Sequence, residues 1–251
     1  MGILCITLSL AIVRSSAGYS QSGIIGSDDR IAIKQLSGPW SAIGQVNMSG
    51  YRRTTRCTGS LIATNLVITA AHCVMDPWSR QPFPLHQIHF LAGVKGSSFL
   101  GHSTAKCLHF PPDYEYVGPS GRLPSQEVPL RAFLRDVVLI VLKDDLSNIA
   151  PLKLDDAGVQ SSDISLVHAS YPADRRYALT AHFGCHLLAR DQDFWFTDCD
   201  THAASSGGPV FIQRNEGLEL AAIMVGVMGT SRSVAIPIPN WTDVVAERNC
   251  P

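Results

Sequence analysis

The chain has 251 residues with 20 basic against 21 acidic side chains, and only 16% of it is charged. That balance excludes a nucleic-acid binder, which needs a clustered basic surface to meet phosphates. With 45% hydrophobic residues it also excludes a disordered chain, and the low charge argues against long solvated helices laced with Glu and Lys.

The first element is the apolar stretch Met1 to Val13, closed by Arg14 and followed by Ser15, Ser16 and Ala17. It is shorter than the roughly 20 residues that span a bilayer. It suits the apolar region of a secretory signal covering residues 1–17, with a pro-segment option reaching residue 23, although no Lys or Arg precedes it. The alternative is a buried N-terminal strand. No later segment approaches membrane-spanning length, so the mature chain is expected to be secreted, soluble and monomeric, with no membrane partner. Cys5 leaves with the signal, and Cys57, Cys73, Cys107, Cys185, Cys199 and Cys250 remain. An even number in an exported chain favours disulfides. His72 beside Cys73 and His202 shortly after Cys199 raise a metal reading, but neither pair forms a CxxC or a two-His helical spacing, so no metal or other cofactor is expected.

Short apolar runs then recur between turn residues: Leu61 to Ala63, Leu66 to Ala71, Ile88 to Val94, Val137 to Leu142, Ile164 to Val167, Pro209 to Ile212, Leu220 to Val227 and Val234 to Ile238. Their length and their Val and Ile content favour strands, and many short strands separated by Gly and Pro point to an all-β barrel or sandwich. Only Asn240 to Arg248 reads as a helix, capped by Asn240 or Thr242, with Trp241, Val244 and Val245 on one face. The segment Asp144 to Leu152 is the best linker between two halves, residues 24–145 and 146–251. Each half then has about 110 residues, enough for a barrel of its own.

Three motifs carry chemistry. Thr69-Ala70-Ala71-His72-Cys73 ends an apolar run, so a strand end can hold His72 rigidly with its ring facing a cleft. Asp136 opens the run Val137 to Leu142, where a carboxylate is costly to bury without a partner, and a histidine N–H suits it. Asp200-Thr201-His202-Ala203-Ala204-Ser205-Ser206-Gly207-Gly208-Pro209 surrounds a serine with small residues, which allow a tight turn and let the amides of Ala204 and Ser206 aim at one spot. A serine hydroxyl needs a base, histidine titrates in the right range, and an aspartate fixes its tautomer. Taken singly, His72 could be a satisfied core histidine, Asp136 a turn residue and Gly207-Gly208-Pro209 a loop. Together, in this order, they specify nucleophilic catalysis.

With those residues in view, the chain resembles the chymotrypsin-like (trypsin-like) serine proteases, whose motifs are AAHC, an Asp before an apolar strand, and GxSGGP. Cys57-Thr58-Gly59-Ser60-Leu61-Ile62 is similar to the family's CGGSLI strand. Ile24-Ile25-Gly26-Ser27-Asp28-Asp29-Arg30, Pro112-Asp113-Tyr114, Ser170-Tyr171-Pro172 and Cys199-Asp200-Thr201 resemble the bacterial, glutamyl-endopeptidase-like branch. The resemblance implies two six-stranded antiparallel β-barrels with a short C-terminal helix, and a secreted endopeptidase that cuts polypeptides through an acyl-enzyme. His72 would be its general base, Asp136 the orienting carboxylate and Ser206 the nucleophile, with Ala204 and Ser206 N–H forming the oxyanion hole. It also implies disulfides Cys57 with Cys73, Cys185 with Cys199, and Cys107 with Cys250.

The chain departs from the family at two places in that loop. Ala204 stands where the family has glycine, and is strained if its φ is positive. Ser205 replaces the aspartate that pairs with the freed N-terminal amine in animal trypsins. These departures motivate an alternative, a catalytically impaired homologue that acts as a binding or modulatory protein. For specificity, Asp200, Thr201 and Met228 are the candidate pocket residues. Asp200 either sits at the pocket base and favours Lys or Arg, or is structural, whereas Met228 stands where glutamyl enzymes use histidine and argues against acidic side chains.

Overall fold

The computed structural model describes residues 23–49, 54–116, 134–159, 164–191, 194–246 and 249–250, so the expected signal lies outside the described residues. Strands β2 (Ile43–Ser49), β3 (Thr54–Ala63), β4 (Leu66–Thr69), β5 (Ile88–Ala92), β6 (Gly101–His109) and β7 (Val138–Leu142) close into one barrel in the order β2-β3-β4-β7-β6-β5. Every named residue of β4 and β7 is buried, which is why both read as unbroken apolar runs.

The second barrel is built from β8 (Ser165–Ser170), β9 (Thr180–Arg190), β10 (Trp195–Thr197), β11 (Pro209–Arg214), β12 (Gly217–Met228) and β13 (Arg232–Pro237). Its ring runs β9-β10-β13-β12-β11-β8 and closes through the β8–β9 pair. All pairings between these strands are antiparallel, as expected of a chymotrypsin-type fold.

The two halves exchange their ends. The short strand β1 (Ile31–Ala32), counted with the first half from sequence, pairs instead with β9 of the second barrel. At the C-terminal end, where a helix is expected over Asn240 to Arg248, a 3-10 turn at Ile238–Asn240 is followed by α1 (Thr242–Ala246). Trp241 and Val244 are buried as its apolar face, while residues 247–248 lie outside the described residues. A disulfide between Cys107 on β6 and Cys250 ties this end to the first barrel. Cys57 pairs with Cys73 and Cys185 with Cys199, so the three expected pairings are all present.

Candidate active site

Strand pairing brings His72 and Asp136 together. Thr69, the last residue of β4, lies opposite Val138, the first of β7. Because the strands are antiparallel, the turn after β4 and the residues before β7 emerge at the same barrel edge. His72 sits on the 3-10 turn Ala71–Val74, which the Cys57–Cys73 disulfide pins to β3. Asp136 is buried, and both its oxygens are used: Oδ1 accepts the His72 backbone N–H at 2.7 Å and Oδ2 lies 2.6 Å from Nδ1. A carboxylate only accepts, so the ring proton is on Nδ1 and the Nε2 lone pair is free. Burial alone would lower the His72 pKa, but the charge and hydrogen bond of Asp136 outweigh it and the net shift is upward. Tyr114 and Tyr116 pack near the same carboxylate, and burial, reinforced by the Asp136 charge, pushes both phenols up so that they stay protonated.

The second barrel supplies the loop Thr201 to Gly208. Gly207 donates to Met224 O at 2.6 Å and the Met224 N–H donates to Gly208 O at 2.8 Å, which anchors the loop to β12. Gly207 has φ 80, and a Cβ there would lie 2.0 Å from Thr69 Oγ1 and 2.2 Å from Thr58 O. Only glycine lets the loop press this closely on the first barrel. The Ser206 carbonyl accepts the Thr58 N–H at 2.9 Å and lies 3.8 Å from Cys73 Sγ. Ser206 is therefore seated directly against the loop that carries His72.

Ala204 adopts φ 71, the strained conformation anticipated for a non-glycine residue. Ala203 O accepts the Ala173 N–H at 2.7 Å. In a trans peptide the C=O and N–H point opposite ways, so this bond turns the Ala204 N–H away from Ala173. Among the described residues the N–H groups of Ala204 and Ser206 have no acceptor, as donors reserved for a ligand require. Ser205 is fully buried, and its Oγ receives the His202 N–H at 3.1 Å and the Ser170 hydroxyl at 2.9 Å. A neutral network thus fills the place of a charged partner.

Asp200, for which the sequence leaves a pocket role and a structural role open, makes contacts of the structural kind. Its side chain is wholly buried, Oδ1 accepts the Ile25 N–H and Oδ2 the Asp29 N–H, each at 2.8 Å. Its own N–H donates to His182 Nδ1 at 2.9 Å. Thr201 donates to Gly23 O at 2.8 Å, so both residues hold the N-terminal segment against the second barrel. Arg30, buried and paired with Asp28 and Asp174, completes that attachment. Met228 is the last residue of β12, opposite Arg232; the β12 residue bonded to the serine loop is Met224.

Sequence reasoning missed this strap, since nothing local marks it. It also missed Thr58, whose Oγ1 donates to Ala204 O and accepts from the Tyr171 N–H, both at 3.0 Å. The available signal was Thr58 itself, standing where the resembled strand has glycine.

Solved structures share this architecture. A Glu endopeptidase in complex with MPD superposes with TM-score 0.69 at 17% identity, over 89% of this chain and 96% of that one. The protease Anisep from Arthrobacter nicotinovorans does so with TM-score 0.61 at 16% identity, over 87% of this chain and 100% of that one. At these identities the likeness shows the fold. No curated protein matches the chain in sequence. A family model for the trypsin-like peptidase domain matches residues 57–218, a span that opens on the Cys57 strand and contains His72, Asp136 and Ser206, and on that match the chain belongs to the trypsin-like peptidase family.

Proposed function

We propose that the protein is a secreted serine endopeptidase that hydrolyses polypeptides through an acyl-enzyme, with its two halves, 24–145 and 146–251, each supplying part of the site. The observation that carries this reading is the double attachment of His72 to Asp136, in a loop that also contacts the backbone of Ser206. In the reaction Ser206 Oγ attacks the scissile carbonyl as Nε2 of His72 takes its proton. The charge on the carbonyl oxygen is met by the N–H groups of Ala204 and Ser206. The imidazolium then protonates the leaving amine, and a water activated by the same ring releases the acid. Pairing of all six described cysteines supports export, since disulfides persist in oxidising compartments.

Preference is proposed not to rest on Asp200. Its carboxylate is wholly buried and both its oxygens are engaged by the strap, so neither is presented to a substrate side chain. A fluorophosphonate probe tests the whole reading: it is expected to label wild type at Ser206 and to leave Ser206→Ala unlabelled. Folded, N-terminally processed wild type that takes no label would overturn it and leave a binding homologue instead.

A further inference from the structure

We infer that Thr58 is a positioning residue, whose hydroxyl clamps Ala204 in its left-handed conformation and so offsets the loss of glycine in the oxyanion loop. The inference rests on the triad reading above. An alanine held at φ 71 is disfavoured by roughly 1–2 kcal/mol relative to right-handed backbone. Unless something holds it, the loop relaxes and the two donors separate.

Both peptide planes flanking Ala204 are held. On the N-terminal side Ala203 O accepts the Ala173 N–H at 2.7 Å; on the C-terminal side Ala204 O accepts from Thr58 Oγ1 at 3.0 Å. Fixing both planes fixes φ and ψ between them. The first bond lies within the second barrel, whereas the second reaches across from the first barrel.

The direction of the Thr58 hydrogen bond is determined. Its hydroxyl has one proton, the Tyr171 N–H approaches its lone pair at 3.0 Å, and Ala204 O can only accept. Thr58 is fully buried, its N–H donates to Ser206 O, and its carbonyl accepts the Thr69 hydroxyl at 2.7 Å. A β-branched residue so surrounded has little rotameric freedom, so the hydroxyl is a stiff support.

The two departures from the resembled motifs are thereby linked. Where CGGSLI has its first glycine this chain has Thr58, and where GxSGGP has its leading glycine it has Ala204. A glycine at 58 carries no hydroxyl, and a glycine at 204 needs none to reach positive φ.

The test is a double-mutant cycle on the full, processed chain: Thr58→Val, Ala204→Gly and both together, with Thr58→Ser as the conservative control. Steady-state kinetics on a peptide substrate, the rate of fluorophosphonate labelling and the thermal midpoint are read for each. Thr58→Val is expected to lower kcat about tenfold, the worth of one such hydrogen bond, with KM little changed, and Thr58→Ser to keep most of the activity. Adding Ala204→Gly to Thr58→Val is expected to restore kcat. An equal loss in both alanine and glycine backgrounds would overturn the clamp. Were Thr58→Val not to fold, Thr58→Ala in the same two backgrounds gives the same comparison. If wild type itself is never labelled at Ser206, the catalytic reading fails, and the clamp is judged on thermal midpoints alone, where additivity of the two substitutions refutes it.

Discussion

The two barrels hold their parts of the site by different physics. The first places His72 and Asp136 at the common edge of β4 and β7, two strands of wholly buried aliphatic residues, and joins them by a charge-assisted pair. The second carries a loop that must bend sharply, and it is held by hydrogen bonds: the Ser170 hydroxyl and the His202 N–H both reach the buried Ser205 Oγ, and Gly207 and Gly208 bond the backbone of Met224. The contrast follows from the tasks proposed for the two halves. A base needs a fixed orientation and one anionic neighbour, which an apolar wall protects from water. A nucleophile loop with donors pointing outward must bond its remaining backbone groups inward.

Breaking the first barrel's contribution should have the largest effect. Asp136→Asn can still accept the His72 backbone N–H, but its amide N–H₂ then faces Nδ1. The ring must take the other tautomer, with its proton on Nε2 facing the serine and no lone pair for catalysis. A fall in kcat/KM of about 10⁴-fold is expected, the size such tautomer changes produce. The wild-type acid limb should lie above the ordinary histidine value of 6.5, since the pair with Asp136 raises the His72 pKa and activity appears only as the ring loses its extra proton. A folded Asp136→Asn variant with near-normal kcat/KM would remove the first barrel's role.

That pair was legible because its signals are local: a His at one strand end, an Asp at another, each beside an apolar run. The strands were legible on the same terms. β4, β7 and the buried stretches of β12 and β13 show as Val and Ile runs, whereas β6 buries Ser103, Ala105, Cys107 and His109 on its inner face and shows no run at all. β9 similarly buries Thr180 and His182, and β2 buries Gln45. What the second barrel depends on was least visible, because its bonds join distant residues: Thr58 to Ala204 across 146 positions and Ile25 to Asp200 across 175. Asp200 illustrates the limit. Its place before the serine motif admits a pocket role and a structural one equally, and the two N–H groups on its oxygens, which favour the structural one, come from a segment far away in sequence.

Removing that carboxylate sharpens the comparison from the other side. Asp200→Ala leaves the Ile25 and Asp29 N–H groups and the place beside His182 without their partner. Both donors are only part-buried, so each lost bond is worth about 1 kcal/mol and a loss of about 2 kcal/mol is expected in urea unfolding, with the cleavage profile of the remaining folded enzyme unchanged. A variant of wild-type stability that has lost cleavage after Lys or Arg would return Asp200 to the pocket.

The smallest expected effect separates the barrels by pH. His168 on β8 is buried, with Nδ1 donating to Pro209 O at 3.1 Å and Nε2 buried without a partner among the described residues. Burial, opposed in part by the Pro209 bond and reinforced by the charges of His182 and Arg30, pushes its pKa down to about 4 from 6.5. Between those values the unfolded chain binds the extra proton and the folded chain does not, so this contribution is complete above pH 6.5 and is lost as pH falls towards 4. Its full size is about 3 kcal/mol. His72 has the opposite sign: with its folded pKa raised, it contributes stability below pH 6.5 that disappears as pH rises through the folded value. Urea unfolding of wild type and His168→Gln at pH 7.5 and pH 5, disulfides intact, isolates the second barrel's share, since the carboxylates common to both proteins cancel. The difference between wild type and variant should shift against wild type on acidification. An identical pH dependence in the two proteins would mean that His168 is protonated or hydrated in the fold, and the polar interior of the second barrel would then be no more acid-sensitive than the apolar interior of the first.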